Sequence, residues 1–236
     1  MDERLIREEI LLGGEALAKL KGSHVAVFGL GGVGSWCAEA LARAGVGELT
    51  IVDEDTVSVS NINRQLCALE STVGQNKADV IAGRLMDINS NLRLHSIVGC
   101  YRAEDRERFL GDYDFVADAI DTVSSKLDLI LSCRERHIPI ISSMGTGNKR
   151  DASKLELTDI SKTCGCPLAR VMRRELRARG VVHQPVVFSP EAPMQPARFE
   201  APPPGRHSVP GSLVWVPASA GLLMCQYIVT SLIEEK

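Results

Sequence analysis

The chain has 236 residues, 44% of them hydrophobic and 24% charged, with a formal net charge of −3. That length suits one large α/β domain or two small ones, and the ordinary composition argues against a disordered or fibrous chain. The slight acidity excludes a global electrostatic pull on nucleic acid, so any such contact must come from a local basic patch.

The N-terminal run Met1-Asp-Glu-Arg-Leu-Ile-Arg7 has no apolar core of the kind a secretory signal carries. Seven cysteines, an odd number, then read as thiols in a reducing cytoplasm. Leu5 to Leu20 reads as one or two short helices broken near Gly13-Gly14. His24 to Phe28 is a buried strand that ends in glycines. A helix from Trp36 to about Ala44 follows, stopped by Gly45-Val-Gly47. Leu49-Thr-Ile-Val52 is a second strand and delivers Asp53. Thr56 to Leu69 is polar and irregular. Thr72 to Lys77 leads into a helix ending near Ile88, and Leu92 to Val98 is a third, partly exposed strand.

Glu104 to Leu110 predicts a short helix, Phe115 to Asp121 a fourth strand, Lys126 to His137 a helix and Pro139 to Ser143 a fifth strand. This alternation argues for a doubly wound, Rossmann-like, mostly parallel sheet. The pattern then changes to a strand at Leu155–Asp159, a helix at Pro167–Arg179 and a stretch from Gln184 to Pro217 that holds nine of the eleven prolines. That stretch should be extended strand and loop. Ala218 to Ile233 is an apolar closing helix, and packing on the sheet is its expected role. No segment reads as apolar enough over about 18 residues to span a bilayer. The expected architecture is one domain over 1–236, a nucleotide-binding half at 1–150 and a substrate-side half with a strand and helix extension at 151–236.

Gly29, Gly31 and Gly34 satisfy G-x-G-x-x-G, with Gly32 as an extra glycine inside it. A strand, a tight turn and a helix N-terminus in this order cradle phosphate through free N–H groups and the helix dipole. Asp53, about twenty residues on, sits where a carboxylate reaches a ribose hydroxyl. The fingerprint alone fits NAD as well as ATP. The combination is more specific. Asp55, Ser60-Asn-Ile-Asn-Arg-Gln65, Lys77 and Asp118-Ala-Ile-Asp121 follow in turn. Cations at Arg64 and Lys77, with an acidic residue at the C-terminal end of a later strand, imply a triphosphate with Mg²⁺.

These motifs resemble the adenylating domain of the E1-like (ubiquitin-activating-type, HesA/MoeB/ThiF) superfamily. The pieces Arg7-Glu-Glu-Ile-Leu-Leu-Gly13, Ser142 to Lys149, and Asp159 to Thr163 followed by Cys166 to Arg177 are most similar to its tRNA threonylcarbamoyladenosine dehydratase branch. The resemblance implies an ATP-dependent enzyme that adenylates the threonyl carboxylate of a modified adenosine in a tRNA anticodon loop. A neighbouring group of the same modification then closes a ring, and AMP and pyrophosphate are released. It implies nucleotide contacts from Gly29, Gly31, Gly32, Gly34, Asp53, Asp55, Ser60, Asn61, Asn63, Arg64, Gln65, Lys77, Asp118, Asp121 and Thr122. Arg64 and Lys77 would act on the phosphates and Asp121 would hold Mg²⁺. Arg7, with Arg4 as the fallback, would reach across a homodimer to the partner's γ-phosphate.

Arg170, Arg173, Arg174 and Arg177 fall on one helical face, the only concentrated basic patch, and suit tRNA phosphates, a dimer contact or simply a solvated face. Cys164-Gly-Cys166 is a lone C-x-C, and no C-x-x-C occurs, so a structural zinc quartet is not expected. A sulfur-relay or redox partner is compatible with the thiols. Two rival readings remain at this stage. One is an enzyme of the same superfamily that adenylates the C-terminal glycine of a sulfur-carrier protein. The other is an NAD-binding oxidoreductase.

Overall fold

Three of the five residues in the first strand are β-branched or aromatic, and the strand is buried on both faces, as expected of the middle of a parallel sheet. In a computed structural model that describes residues 2–195 and 210–234, the chain opens with helices α1 (Ile6–Leu12) and α2 (Gly14–Gly22). Strand β1 (His24–Phe28) and helix α3 (Gly34–Arg43) follow, then β2 (Glu48–Asp53), α4 (Lys77–Ile88), β3 (Arg93–Val98) and the one-turn α5 (Arg106–Phe109). The chain continues through β4 (Phe115–Asp118), α6 (Val123–Glu135), β5 (Ile140–Ser143), β6 (Glu156–Asp159), α7 (Pro167–Ala178), β7 (Pro185–Phe188) and α8 (Trp215–Glu234).

The seven strands form one sheet in the order β3-β2-β1-β4-β5-β7-β6. All pairs are parallel except β6 with β7. The first five strands therefore have the doubly wound order, whose direction reverses between β1 and β4. Alternate residues of each strand feed two cores. Val25, Val27, Leu49, Ile51 and Ile141 pack with Leu41, Ile81, Met224 and Ile228 from α3, α4 and α8. Ala26, Phe28, Val116, Val186 and Phe188 pack with Phe109, Ile130, Met172 and Leu176 from α5, α6 and α7.

The predicted elements are all present, with ends that move for local reasons. The fourth strand stops at Asp118 because its carboxylate turns back to accept the Ile120 N–H at 3.1 Å. Asp121 therefore sits in a turn, outside the strand. Helix α6 starts at Val123, three residues early, with the Lys126 N–H bonded to the Thr122 carbonyl. Helix α8 starts at Trp215 and carries Pro217 in its first turn, where no amide partner is lost. Within the proline-rich stretch, 196–209 lie outside the described residues.

The expectation that no segment could span a bilayer needs correction on length and composition, because the 20-residue α8 meets both criteria. Its Val216, Ala220, Met224, Ile228 and Leu232 are nonetheless buried on the sheet. Close packing is enforced at Gly221, where a Cβ would lie 2.4 Å from the Val33 carbonyl oxygen.

Candidate functional site

A cleft of about 590 Å³ opens at the C-terminal ends of β1, β2, β4 and β5, at the point where strand order reverses. Its floor is the β1–α3 turn. Gly29 has φ +86, and a Cβ there would lie 2.8 Å from the Ala119 carbonyl oxygen. A Cβ on Gly34 would overlap the Gly29 oxygen at 1.7 Å. Glycine at 29 thus permits the turn, and glycine at 34 lets the N-terminus of α3 close onto β1. Gly29, Gly31 and Gly32 line the cleft, whereas Gly34 acts from behind it.

Asp53, the last residue of β2, faces this turn. One of its carboxylate oxygens accepts the Leu30 N–H at 2.6 Å and the other accepts the Asp55 N–H at 2.8 Å. Burial pushes its pKa above the ordinary carboxylate value, and these two amides and Lys77 pull it back. Each oxygen keeps a lone pair for a hydroxyl in the cleft. Lys77 begins α4. Its Nζ is 2.7 Å from Asp55 Oδ2, with the lysine side chain 6% exposed and the aspartate 63% exposed. Its ammonium is therefore aimed into the cleft by an acid that solvent can reach.

Arg64 enters from the irregular segment after β2. Its Nη1 donates to the Ser60 carbonyl at 2.7 Å and to Asn63 Oδ1 at 2.9 Å, and partial burial lowers its pKa. Gln65, Asp121 and Thr122 also line the cleft, and Asp121 and Thr122 stand just before α6. The cleft thus combines two cations, a glycine turn at a helix N-terminus, and carboxylates on the opposite lip. Such a set suits a polyphosphate with a hard, oxygen-ligated cation.

Other expected contacts lie elsewhere. Asp118 is wholly buried beneath the cleft and bonded to Lys126 Nζ at 2.7 Å, with both side chains at 0% exposure. It cannot touch a ligand in the cleft and instead braces the loop that carries Asp121. Ser60, Asn61 and Asn63 do not line the cleft either. The buried Asn61 side chain accepts the Ser58 N–H at 3.1 Å, Ser60 Oγ lies 3.0 Å from Ser58 Oγ, and Asn63 donates to the Ser212 carbonyl at 2.9 Å. These three shape the segment that presents Arg64. Only Asn61 takes a local backbone group; Ser60 pairs with a neighbouring hydroxyl and Asn63 ties the segment to the distant Ser212 carbonyl.

Arg7 is exposed on α1 and outside its own chain's cleft. Arg4, the fallback, is held by Asp2 at 2.7 Å. Arg170, Arg173, Arg174 and Arg177 line a shallow second depression on α7. Two of them are engaged locally, Arg173 with the Thr163 carbonyl at 2.7 Å and Arg174 with Glu175 at 2.7 Å. The patch is therefore less free to reach outward than its sequence spacing suggests. Phe188 is buried in the core, whereas Trp215 is half exposed and donates its indole N–H to the Arg150 carbonyl at 2.7 Å.

Lys149 escaped the sequence reading as a site residue. It lines the cleft, yet it is buried, and its Nζ donates to the carbonyls of Ser189, at 3.0 Å, and Glu191. Burial lowers its pKa. The turn Met144 to Lys149, Cys166, Pro167 and Pro217 complete the far wall. The available signal was Gly145-x-Gly147 directly after a strand, a position where open α/β sheets gather ligand loops.

Residues 3–236 match the ThiF family. The chain is 43% identical to the tRNA threonylcarbamoyladenosine dehydratase of Bacillus subtilis (strain 168), over 97% of this chain and 94% of that protein. The crystal structure of the Escherichia coli tRNA N6-threonylcarbamoyladenosine dehydratase in complex with ATP superposes with a TM-score of 0.87 at 34% identity. That match covers 98% of this chain and 93% of the other. The molybdopterin-synthase adenylyltransferase of Escherichia coli (strain K12) is 33% identical over 60% of this chain and 59% of that protein.

Proposed function

The chain belongs to the ThiF family, and from that premise we propose that it is an ATP-dependent tRNA threonylcarbamoyladenosine dehydratase acting as a homodimer in the cytoplasm. The observation that carries this reading is the reach of the likeness. It runs almost end to end against the Bacillus subtilis dehydratase in sequence and the Escherichia coli one in structure, and covers under two thirds of this chain against the molybdopterin-synthase adenylyltransferase. On this reading residues 1–150 bind ATP and 151–236 complete the substrate side, where Cys166, Pro167 and Pro217 face the cleft.

The chemistry joins two anions. A carboxylate oxygen of the modified adenosine attacks the α-phosphorus of ATP, a P–O bond forms, and pyrophosphate leaves with the broken bond's electrons. A neighbouring group of the same modification then attacks the acyl carbon. AMP departs with the acyl oxygen, so the net change in the tRNA is loss of one water. Arg64 and Lys77 offset the repulsion between the reacting anions. Asp53 receives the ribose, and the glycine turn takes up phosphate on backbone N–H groups. The oxygen donors of Asp121 fit Mg²⁺, which keeps several waters and binds through one or two carboxylates plus phosphate. When bound, that ion draws charge from the phosphates. The ring closes within one molecule, so no cysteine thioester is required, and Cys164 has no catalytic duty in this scheme.

The dimer is argued from α1, which holds Ile10 at 77% and Leu11 at 83% exposure beside the exposed Arg7. Such an uncovered apolar stripe suits a second copy of the chain and would carry Arg7 into the partner's cleft. The test is AMP and pyrophosphate release with tRNA that bears or lacks the threonylcarbamoyl group, with the product mass read in parallel. Release only with the modified tRNA, loss of one water, and silence of Asp121→Ala support the assignment. Release driven by a Gly-Gly-ended carrier protein in place of tRNA would transfer it to the sulfur-carrier class.

A further inference from the structure

At the end of the sheet opposite the cleft, three strands in register bring together two histidines and a glutamate. His24, the first residue of β1, pairs with Glu48, the first of β2, and Thr50 pairs with His95 on β3. Alternate and laterally paired residues of a parallel sheet share a face, so all four side chains rise on the same side. Glu48 Oε1 is 2.8 Å from His95 Nε2 and 3.6 Å from His24 Nδ1. One donor atom from each of the three lies within 4.8 Å of the others. Donors around a tetrahedral zinc-type ion stand about 3.3 Å apart, given metal–nitrogen bonds near 2.0 Å.

The surroundings orient each donor. Arg93 Nη2 holds Glu48 Oε2 at 2.6 Å, which leaves Oε1 to face the imidazoles. His24 Nε2 lies 2.9 Å from Thr50 Oγ1. The tautomer that donates from Nε2 to that hydroxyl presents the Nδ1 lone pair toward Glu48. Metal-bound histidines are oriented by such a bond on the other ring nitrogen. Tyr113 packs edge-on against the same ring, with centroids 4.9 Å apart, and Asp114 accepts the His24 backbone N–H at 2.7 Å. None of these residues lines the nucleotide cleft.

We propose that His24, Glu48 and His95 form a site for a divalent transition-metal ion of the zinc type, bound by two imidazoles and one carboxylate, with its remaining position open to solvent. Two nitrogens and one oxygen suit such an ion better than Ca²⁺ or Mg²⁺, which prefer all-oxygen sites. The ion would tie β1, β2 and β3 together at their N-terminal ends, and its binding would add to folding stability by mass action.

The test is titration of the full chain with Zn²⁺ and with Co²⁺, without nucleotide, read by thermal unfolding and visible absorption. Saturable binding of one ion, a raised melting temperature and Co²⁺ bands without a thiolate charge-transfer feature are expected. His95→Ala and Glu48→Gln should each weaken binding by at least about tenfold. The His95 side chain is about half exposed, so its removal should leave the fold and AMP release intact. Three outcomes would each overturn the proposal: no saturable binding, a melting shift that persists in His95→Ala, or a thiolate band that places the ion on cysteine.

Discussion

Two lysines in this chain meet an aspartate at the same 2.7 Å distance and should respond to mutation in opposite ways. Lys77→Met removes a cleft cation but leaves Asp55 in solvent. The aspartate left behind is 63% exposed and stays hydrated, so stability should fall far less than in a pair buried on both sides, while AMP release falls by about hundredfold or more. Lys126→Met strands Asp118 at zero exposure, an uncompensated buried charge that costs about 3–5 kcal/mol, so this variant should unfold early or fail to accumulate. Thermal melts and the AMP assay on both proteins check the contrast. In sequence both lysines look alike, a cation near an acidic strand end. Both are buried, and what separates them is the partner: Asp55 reaches solvent at the cleft, whereas Asp118 is wholly enclosed. The cysteines differ in the same way. Burial pushes Cys133 and Cys225 up to about 12 from 9.0, whereas Cys164 is exposed. Alkylation of the native protein at mildly alkaline pH, followed by mass spectrometry, should mark Cys164 and spare the other two. Their folded pKa values lie above the unfolded value. The stability they confer is therefore complete below pH 9.0 and lost as pH rises toward about 12.

Among elements, the β1–α3 turn carries the sharpest expectation. Gly34→Ala places a methyl 1.7 Å from the Gly29 oxygen, and backbone cannot yield as a flexible side chain can. A loss of about 1–3 kcal/mol is expected, as for other overpacked sites, with ATP affinity falling further than stability because the displaced turn is the phosphate cradle. Melting curves and an ATP titration separate the two effects. This turn was fully legible in the sequence, since few backbone paths satisfy a buried strand, four glycines and a helix in twelve residues. The central strands β1, β2, β4 and β5 were equally legible, because burial on both faces demands largely apolar runs. The polar segment from Ser58 to Gln65 was legible only in part. Its arginine lines the cleft as expected, but Asn61 turns to the Ser58 amide, Ser58 and Ser60 pair through their hydroxyls and Asn63 reaches the Ser212 carbonyl, and residue type does not distinguish these uses from ligand contact. The far wall was obscure for another reason: Lys149, Cys166 and Pro217 converge only through long crossovers.

At the scale of the whole molecule, the exposed stripe on α1 predicts assembly. Leu11→Asp should shift the sedimentation coefficient toward a monomer and depress AMP release. Complementation gives a stricter check on Arg7. In a dimer of Arg7→Ala with Asp121→Ala, one cleft retains its own Asp121 and receives an intact Arg7 from across the interface. Mixing two silent variants should therefore restore about a quarter of wild-type activity, given random pairing of subunits. No recovery would place Arg7 in its own chain's chemistry or in none.

The sheet itself has a further consequence. Among the described residues it ends on β3 at one side and β6 at the other, and neither rim strand pairs further. Open rims invite strands from neighbouring chains. Here β3 carries Arg93 and β6 carries Glu156 and Asp159, and both rims are short. Arg93 and Asp159 also bond within the monomer, but Glu156 is exposed, so Glu156→Val should leave the interior untouched and yet turn a clear concentrated solution turbid.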